Sequence, residues 1–166
     1  GQPEVMRPAV PQRKGEHGII VEGLSNCLVK FSKCCSPVPG DDIVGFITRG
    51  YGVSVHRADC PNVLRSRDNP AEAGRWIRVS WADKTSESYH TMLQVVAKDR
   101  ISLIVDVSTV LSSTKTRVLS LNARSTPDGF ALLDLGIEVC GRDQLKTVMS
   151  RLEQIQGVMK VTRPAG

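Results

Sequence analysis

The chain has 166 residues, of which 40% are hydrophobic and 23% are charged, and its formal net charge is +5. This length allows one or two small domains, and the composition is ordinary for soluble globular protein. No apolar run approaches the ~18 residues that span a bilayer, and the first residues lack the apolar centre of a signal peptide. The five cysteines follow no disulfide pattern. We therefore expect a cytoplasmic protein with free thiolates and exclude a membrane or disulfide-stapled one.

The first half of the sequence predicts a polar leader followed by a small α+β module. Residues 1–17 contain three prolines among polar and basic residues, which is typical of a flexible leader or linker. Residues 18–82 form the predicted module, with a turn at Pro37–Asp41 and a short helix that Asp59 caps and Pro61 begins. Five strands are predicted, the first two and the next two as pairs: Ile19–Gly23, Cys27–Phe31, Ile43–Thr48, Val53–His56 and Arg75–Trp81.

The second half, residues 88–163, predicts the order β-α-β-β-α-β of a ferredoxin-like fold. Its first helix has Ile104, Val107 and Leu111 on one face, with Leu103 and Val110 beside them. Its second helix is capped by Asp143 and ended by Gly157. The second helix has further apolar residues at helical spacing: Leu145, Val148, Met149, Leu152 and Ile155. The predicted strands are Met92–Ala97, Val118–Arg124, Leu133–Val139 and Val158–Thr162.

Three cysteines and a histidine form the candidate metal site. Cys34 and Cys35 are adjacent, and both can face one ion only if the chain turns there. His56 and Cys60 are four residues apart across a predicted strand-to-helix junction. These four ligands would complete a tetrahedral Cys₃His structural zinc site. The alternatives are small cysteines buried in a metal-free core, and a site in which Asp59 or water replaces one ligand.

A basic rim surrounds the same module: Lys30, Lys33, Arg49, Arg57, Arg65 and Arg67. Arginine and lysine at turns and helix ends are well placed to contact phosphate. Tyr51, at a predicted turn tip, could stack on a base. The basic residues could equally form a solvated rim, and Tyr51 could equally pack on its neighbours. The net charge of +5 does not distinguish RNA binding from these alternatives.

The loop that begins the first helix of the second half offers one further candidate site. Residues 98–102 precede free backbone N–H groups and the positive end of a helix dipole, which together suit a carboxylate. A plain helix cap is the alternative. The sequence contains no glycine-rich phosphate loop, paired catalytic carboxylates or Ser/His/Asp arrangement. We therefore expect no catalysis from this chain.

The cysteine-bearing motifs resemble those of a known family. The motifs are Lys33–Asp41, Gly45–Gly50 and Gly52–Asn62. They are similar to the conserved-cysteine domain, also called zinc-finger or ribosome-intersubunit domain, of long RelA/SpoT-type (p)ppGpp synthetase/hydrolases. The following segment resembles the ACT domain of the same proteins. The match covers about residues 18–163 and lacks the family's catalytic domains.

The resemblance implies a regulatory C-terminal fragment that binds the ribosome and uncharged tRNA and controls the catalytic domains. Its RNA-binding face would carry Lys33, Arg49, Tyr51 and Arg57. The resemblance also implies that the ACT domain dimerises and binds an amino acid, at positions that here are Asp99, Arg100, Ile101, Ser102 and Asn122. Glycine is usual in the family at the position of Ser102, whose Cβ would crowd a ligand. The rival hypothesis is a branched-chain amino-acid sensor that controls the enzyme directly.

Overall fold

The computed structural model describes residues 18–24, 27–50, 52–82 and 87–166. The predicted leader, residues 1–17, and Tyr51 lie outside the described residues. The described chain is α+β, as predicted, with two four-stranded sheets and one two-stranded sheet. Its helices are all too short or too polar to cross a membrane. We call residues 18–82 the cysteine module and residues 88–163 the ferredoxin-like module.

The main sheet of the cysteine module consists of four short strands. They are β2 (Leu28–Phe31), β3 (Ile43–Ile47), β4 (Gly52–Arg57) and β5 (Trp76–Ile77). Their order is β2-β4-β3-β5, with β2 parallel to β4 and the other pairs antiparallel. The predicted pairing of the third and fourth strands is thus confirmed. Alternation along β4 buries Val53 and Val55, because successive side chains of a strand point to opposite faces.

The predicted pairing of the first two strands is wrong. Strand β1 (Ile19–Val21) pairs with β6 (Val79–Trp81), at the other end of the module, while β2 pairs with β4. Ile19 of β1 and Val79 of β6 are buried in one apolar cluster, which explains why these two strands pair. A three-residue strand depends on such burial for its stability. The strand predicted at residues 75–81 is also divided, because β5 pairs with β3 and β6 pairs with β1.

The short helix of the cysteine module, α1, spans Pro61–Arg67. Pro61 lies in its first turn, as predicted, but the N-cap residue is Cys60 rather than Asp59. The Asp59 carboxylate instead forms an ion pair with Arg57 at 2.9 Å. Cys60 is therefore placed at the junction of strand and helix, with its sulfur free to face the rest of the cluster.

The ferredoxin-like module has the predicted β-α-β-β-α-β order. Its elements are β7 (Tyr89–Lys98), α2 (Leu103–Ser113), β8 (Arg117–Ser125), β9 (Phe130–Val139), α3 (Arg142–Glu153) and β10 (Val158–Thr162). The sheet is antiparallel throughout, with the order β10-β7-β9-β8. Alternate residues of β7 and β9 share one apolar core with the buried stripes of both helices.

Three details of this module differ from expectation. Helix α3 ends at Glu153 with Gln154 as its C-cap, so Gly157 does not end it and Ile155 lies outside it. In α2 the buried stripe contains Leu103 rather than Ile104, which is 47% exposed. Spacings of three and four residues both fit a helical period, so the pattern alone could not choose between these neighbours. The N-cap of α3 is Gly141, and Asp143 lies in the first turn without capping it, where its charge still suits the helix dipole.

Apolar contacts join the two modules. Val38 of the cysteine module has no exposed surface and belongs to the core of the ferredoxin-like module. The rings of Phe31 and Trp81 stack with centroids 5.7 Å apart, and Tyr89 of β7 meets both rings edge-on. The candidate metal site therefore lies on a scaffold to which both modules contribute.

Gly45 provides a test of the packing inside the cysteine module. A Cβ at this position would lie 2.8 Å from side-chain carbons of Val53 and Val79. We expect Gly45→Ala to lower the free energy of unfolding by about 1–3 kcal/mol through overpacking. Gly74→Ala is the matched control, because nothing lies within 4 Å of its added Cβ. Denaturant unfolding followed by the fluorescence of the two tryptophans, both in this module, measures the difference. Equal midpoints for the two variants would contradict the described packing.

Candidate functional site

The turn that follows β2 brings Cys34 and Cys35 to one side. Residues 33–35 lie in this turn, and the backbone N–H of Ser36 donates a 2.9 Å hydrogen bond to the carbonyl of Ser32. Ser36 adopts the left-handed conformation at φ 46°. Adjacent side chains diverge in an extended strand but converge in such a turn. Cys34 and Cys35 can therefore face one ion, as the candidate site requires.

The other two candidate ligands come from β4 and the start of α1. His56 lies near the end of β4, and Cys60 is the N-cap residue of α1. A tight turn joins them, in which the backbone N–H of Cys60 donates to the carbonyl of Arg57 at 3.0 Å. The end of β4 and the start of α1 are both fixed by backbone hydrogen bonds. They therefore hold His56 and Cys60 close to the turn after β2.

The four ligand atoms lie within 4.8 Å of one another. The Cys34 sulfur is 3.5 Å from both the Cys60 sulfur and the His56 Nδ1, and the Cys35 sulfur is 3.9 Å from that Nδ1. A tetrahedral zinc ion sets two sulfurs about 3.8 Å apart, and a sulfur and a nitrogen about 3.6 Å apart. The described residues therefore fit a four-coordinate Cys₃His ion.

The protonation of His56 and Cys34 favours metal binding, whereas that of Cys35 opposes it. Burial lowers the pKa of His56, so the imidazole is neutral at pH 7 and its ring nitrogen can ligate. Burial raises the pKa of Cys35 to about 12, while hydrogen bonds from Ser32 and Asn62 overcome the effect of burial at Cys34 and lower its pKa. A divalent cation must therefore displace a proton from Cys35, and its positive charge is what stabilises the resulting thiolate.

Arg57 bonds to Cys35 and so helps to hold the cluster in place. Its position in the sequence did not reveal this role. Its backbone N–H donates to the Cys35 sulfur at 3.3 Å, and its guanidinium Nη1 donates to the Cys35 carbonyl at 3.5 Å. The guanidinium also donates to both carboxylate oxygens of Asp59 and lowers the pKa of that group. Asp59 is thus committed to an ion pair, which argues against the alternative in which it replaces a metal ligand.

The predicted RNA-binding residues occupy different environments. Lys33 and Arg49 are exposed, whereas the Arg57 side chain is only 12% exposed. Tyr51 lies outside the described residues. Further exposed cations of the predicted rim are Lys30, Arg65 and Arg67. Lys33 and Arg49 are therefore the two predicted residues whose described surroundings leave them available to a phosphate.

The predicted amino-acid-binding residues lie on one loop and one edge strand. Asp99 accepts a 2.7 Å hydrogen bond from Ser125, and Arg100 forms a 2.6 Å ion pair with Asp106. The left-handed φ of 69° at Ser102 explains why glycine suits this position. The last two predicted residues, Ile101 and Asn122, are exposed, Ile101 to 92%. Asn122 lies on β8, one of the two edge strands of the sheet.

Comparison with known proteins matches each of the two modules to a known domain family. Residues 19–82 match the RelA/SpoT RIS domain, and residues 85–163 match an ACT domain. The GTP pyrophosphokinase of Escherichia coli is 37% identical over 159 residues, which are 94% of this chain and 21% of that protein. The bifunctional (p)ppGpp synthase/hydrolase RelA of Mycobacterium tuberculosis is 36% identical over 156 residues, again 94% and 21%.

A solved structure is also similar to the second module. The crystal structure of the ACT domain from the GTP pyrophosphokinase of Chlorobium tepidum is 26% identical, with a TM-score of 0.42. It covers 46% of this chain and 99% of that chain.

A RIS domain joined to an ACT domain defines a regulatory class of protein. The chain belongs to the RelA/SpoT family and corresponds to its C-terminal regulatory region. It spans about a fifth of the length of the curated relatives it matches.

The ligand geometry predicts one metal ion per chain. Protein purified without chelator should carry about one zinc, because four convergent ligands complete a structural site. Cys60→Ser should lose this zinc and loosen the cysteine module, since metal binding and local folding are coupled. Cys140→Ser is the matched control, because Cys140 is exposed and outside the cluster. Elemental analysis and thermal unfolding measure both effects, and a zinc-free wild type with a cooperative melt would contradict the prediction.

Proposed function

We propose that this region binds ribosomal RNA and uncharged tRNA through a zinc-stabilised cysteine module and thereby controls the catalytic domains of a RelA/SpoT-type enzyme. One observation carries this proposal: two exposed basic residues lie next to the segments that supply the candidate metal ligands. Lys33 directly precedes the ligand Cys34, and Arg49 lies in the loop that leads into β4, the strand of His56. A ribosomal partner implies a cytoplasmic location.

The spacing of these cations supports contact with two separate phosphates. Strands β2 and β4 are parallel, with Leu28 opposite Gly52 and Phe31 opposite Val55. Lys33 follows the end of β2 and Arg49 precedes the start of β4, so the two lie at opposite ends of this strand pair. At ~3.3 Å per residue, their separation is on the order of 10 Å or more. Neither forms an ion pair within the described residues.

Zinc has a structural role in this proposal. All four positions of a tetrahedral ion would be filled by Cys34, Cys35, His56 and Cys60, and no position would remain open for a substrate or a reactive water. In this proposal the ion joins the turn after β2 to the end of β4, and it thereby fixes the backbone position of Lys33. Catalysis is assigned to the parts of the family's proteins that lie outside this region.

Charge reversal tests RNA binding. Lys33→Glu combined with Arg49→Glu should weaken association with ribosomes, and each lost phosphate contact should reduce the salt slope of log K by about 0.7–0.9. The control combines Arg78→Glu with Arg117→Glu, which changes the net charge equally at side chains that are 84% and 75% exposed. Pelleting across a salt series measures both. Equal loss in both double variants would mean that only net charge matters. Arg57 is left intact because it supports Cys35.

A second function, amino-acid sensing between two copies, is favoured by the exposed apolar surface of the ferredoxin-like module. Strand β8 lies at the sheet edge and is exposed along its length. Its exposed apolar residues, together with one from the adjacent loop, are Ile101, Val118, Leu119 and Leu121. A second copy that paired along this edge would cover them. The residues 99–102 of one copy would then approach Asn122 of the other, with free N–H groups for the carboxylate of a branched-chain amino acid.

Removing the Cβ of Ser102 tests this second function. Ser102→Gly should raise stability by roughly 1 kcal/mol, because a left-handed conformation is costly for residues other than glycine. Lys115→Gly is the matched control, since Lys115 at the far end of α2 has a similar φ of 54°. Only Ser102→Gly should enlarge the thermal shift produced by valine or isoleucine, and Asn122→Ala should abolish that shift. No shift in any variant would exclude the loop as a sensor.

A further inference from the structure

Residues 34–41, which we call the shared loop, belong to both modules at once. Their first two residues supply two of the four metal ligands. Three residues further on, Val38 is fully buried in the core of the ferredoxin-like module. The carbonyl of Pro39 accepts a 2.7 Å hydrogen bond from the backbone N–H of Arg142, the first residue of α3. Any displacement of the ferredoxin-like module must therefore move the loop that carries the ligands.

Arg163, the residue directly after β10, bonds to this loop at two points. Its guanidinium donates to both carboxylate oxygens of Asp41 at 2.8 Å and to the carbonyl of Ser36 at 3.1 Å. The Arg163 and Asp41 side chains are only 12% and 6% exposed. Thr91 of β7 donates a second hydrogen bond to the same Ser36 carbonyl, at 3.3 Å. Thr91 of β7 and Arg163, which directly follows β10, thus both bond to the residue that directly follows Cys35.

The residues after Arg163 contact the other side of the cluster. The backbone N–H of Gly166 donates to the carbonyl of Cys34 at 3.0 Å. Ala165 packs against the apolar cluster that contains Cys35 and Cys60. Residues 163–166 therefore reach the backbone of one ligand and the side-chain surroundings of two others.

We propose that Arg163 and Asp41 position Cys34 and Cys35 for the metal, so that metal binding and the docking of the two modules form one linked equilibrium. Metal binding favours the docked arrangement, and by reciprocity undocking weakens metal binding by the same factor. The inference rests on the proposed zinc site and adds to it the residues through which the ACT domain is coupled to that site. Arg163 is a positioning residue, since it acts on the ligands through the loop.

The loop has little freedom to relax independently. Gly40 adopts a φ of +100°, and a Cβ there would lie 2.8 Å from the Cβ of Arg142. The carboxylate of Asp41 also accepts a 2.8 Å hydrogen bond from the backbone N–H of Val38, which closes the loop on itself. Because the loop is tightly packed and internally bonded, a shift at the Asp41 end is transmitted to the cysteines. Bonds from such outer residues orient metal ligands, and their loss typically lowers metal affinity by ~10–100-fold.

The test compares zinc affinities of the whole 166-residue chain by competition with a chromophoric chelator. Arg163→Met should lower the affinity about tenfold or more, and Arg163→Lys, which keeps the charge but loses the fork-shaped donor, should have an intermediate effect. Leu111→Ala is the matched control for general instability, because it removes a buried side chain of α2 outside the shared loop. It should lower the melting temperature yet leave zinc affinity unchanged.

Hydrogen exchange of the wild type gives an independent measurement. Removing zinc with a chelator should speed the exchange of the Arg142 amide, which is in the ferredoxin-like module and bonds to the Pro39 carbonyl. Unchanged protection of this amide, or wild-type zinc affinity in folded Arg163→Met and Arg163→Lys, would overturn the linkage while leaving the zinc site intact. If Arg163→Met does not fold, Arg163→Lys and the exchange measurement decide. A wild type that binds no zinc would overturn the site itself and the linkage with it.

Discussion

Two adjacent cysteines can face one ion only where the backbone turns, and this constraint governs the candidate metal site. The turn at residues 33–35 satisfies it, with Ser36 in a left-handed conformation immediately afterwards. Residues that are remote in sequence hold this turn in place, including Arg57 beside Cys35 and Arg163 at the Ser36 carbonyl. The site is therefore a property of both modules, although all four ligands belong to one of them.

A structural metal would suit the small size of the cysteine module. Among its described residues, the main apolar cluster contains six buried residues, and the cluster around the candidate ligands contains three, two of which are cysteines. Modules this small rarely gain enough stability from apolar burial alone, and a structural metal is one of the usual additions. Packing against the ferredoxin-like module, through Val38 and the aromatic group of Phe31, Trp81 and Tyr89, is another.

The sequence predicted the parts of the fold that depend on local pattern. The alternation of Leu133, Leu135 and Ile137 predicted a strand, and the spacing of the cysteines and His56 predicted the cluster. Pairings between distant segments were not predictable in this way, so β1 was assigned to the neighbouring strand instead of β6. Arg163 shows the same limit, because nothing in its local sequence relates it to Asp41, 122 positions away.

The most direct test of the metal centre is X-ray absorption at the zinc edge of the purified chain. We expect the zinc to be surrounded by three sulfurs at about 2.3 Å and one nitrogen at about 2.0–2.1 Å. Such a shell requires Cys34, Cys35, His56 and Cys60 together, since the other described cysteines, Cys27 and Cys140, lie outside the cluster. A shell of nitrogen and oxygen only, or one with fewer than three sulfurs, would contradict a Cys₃His site.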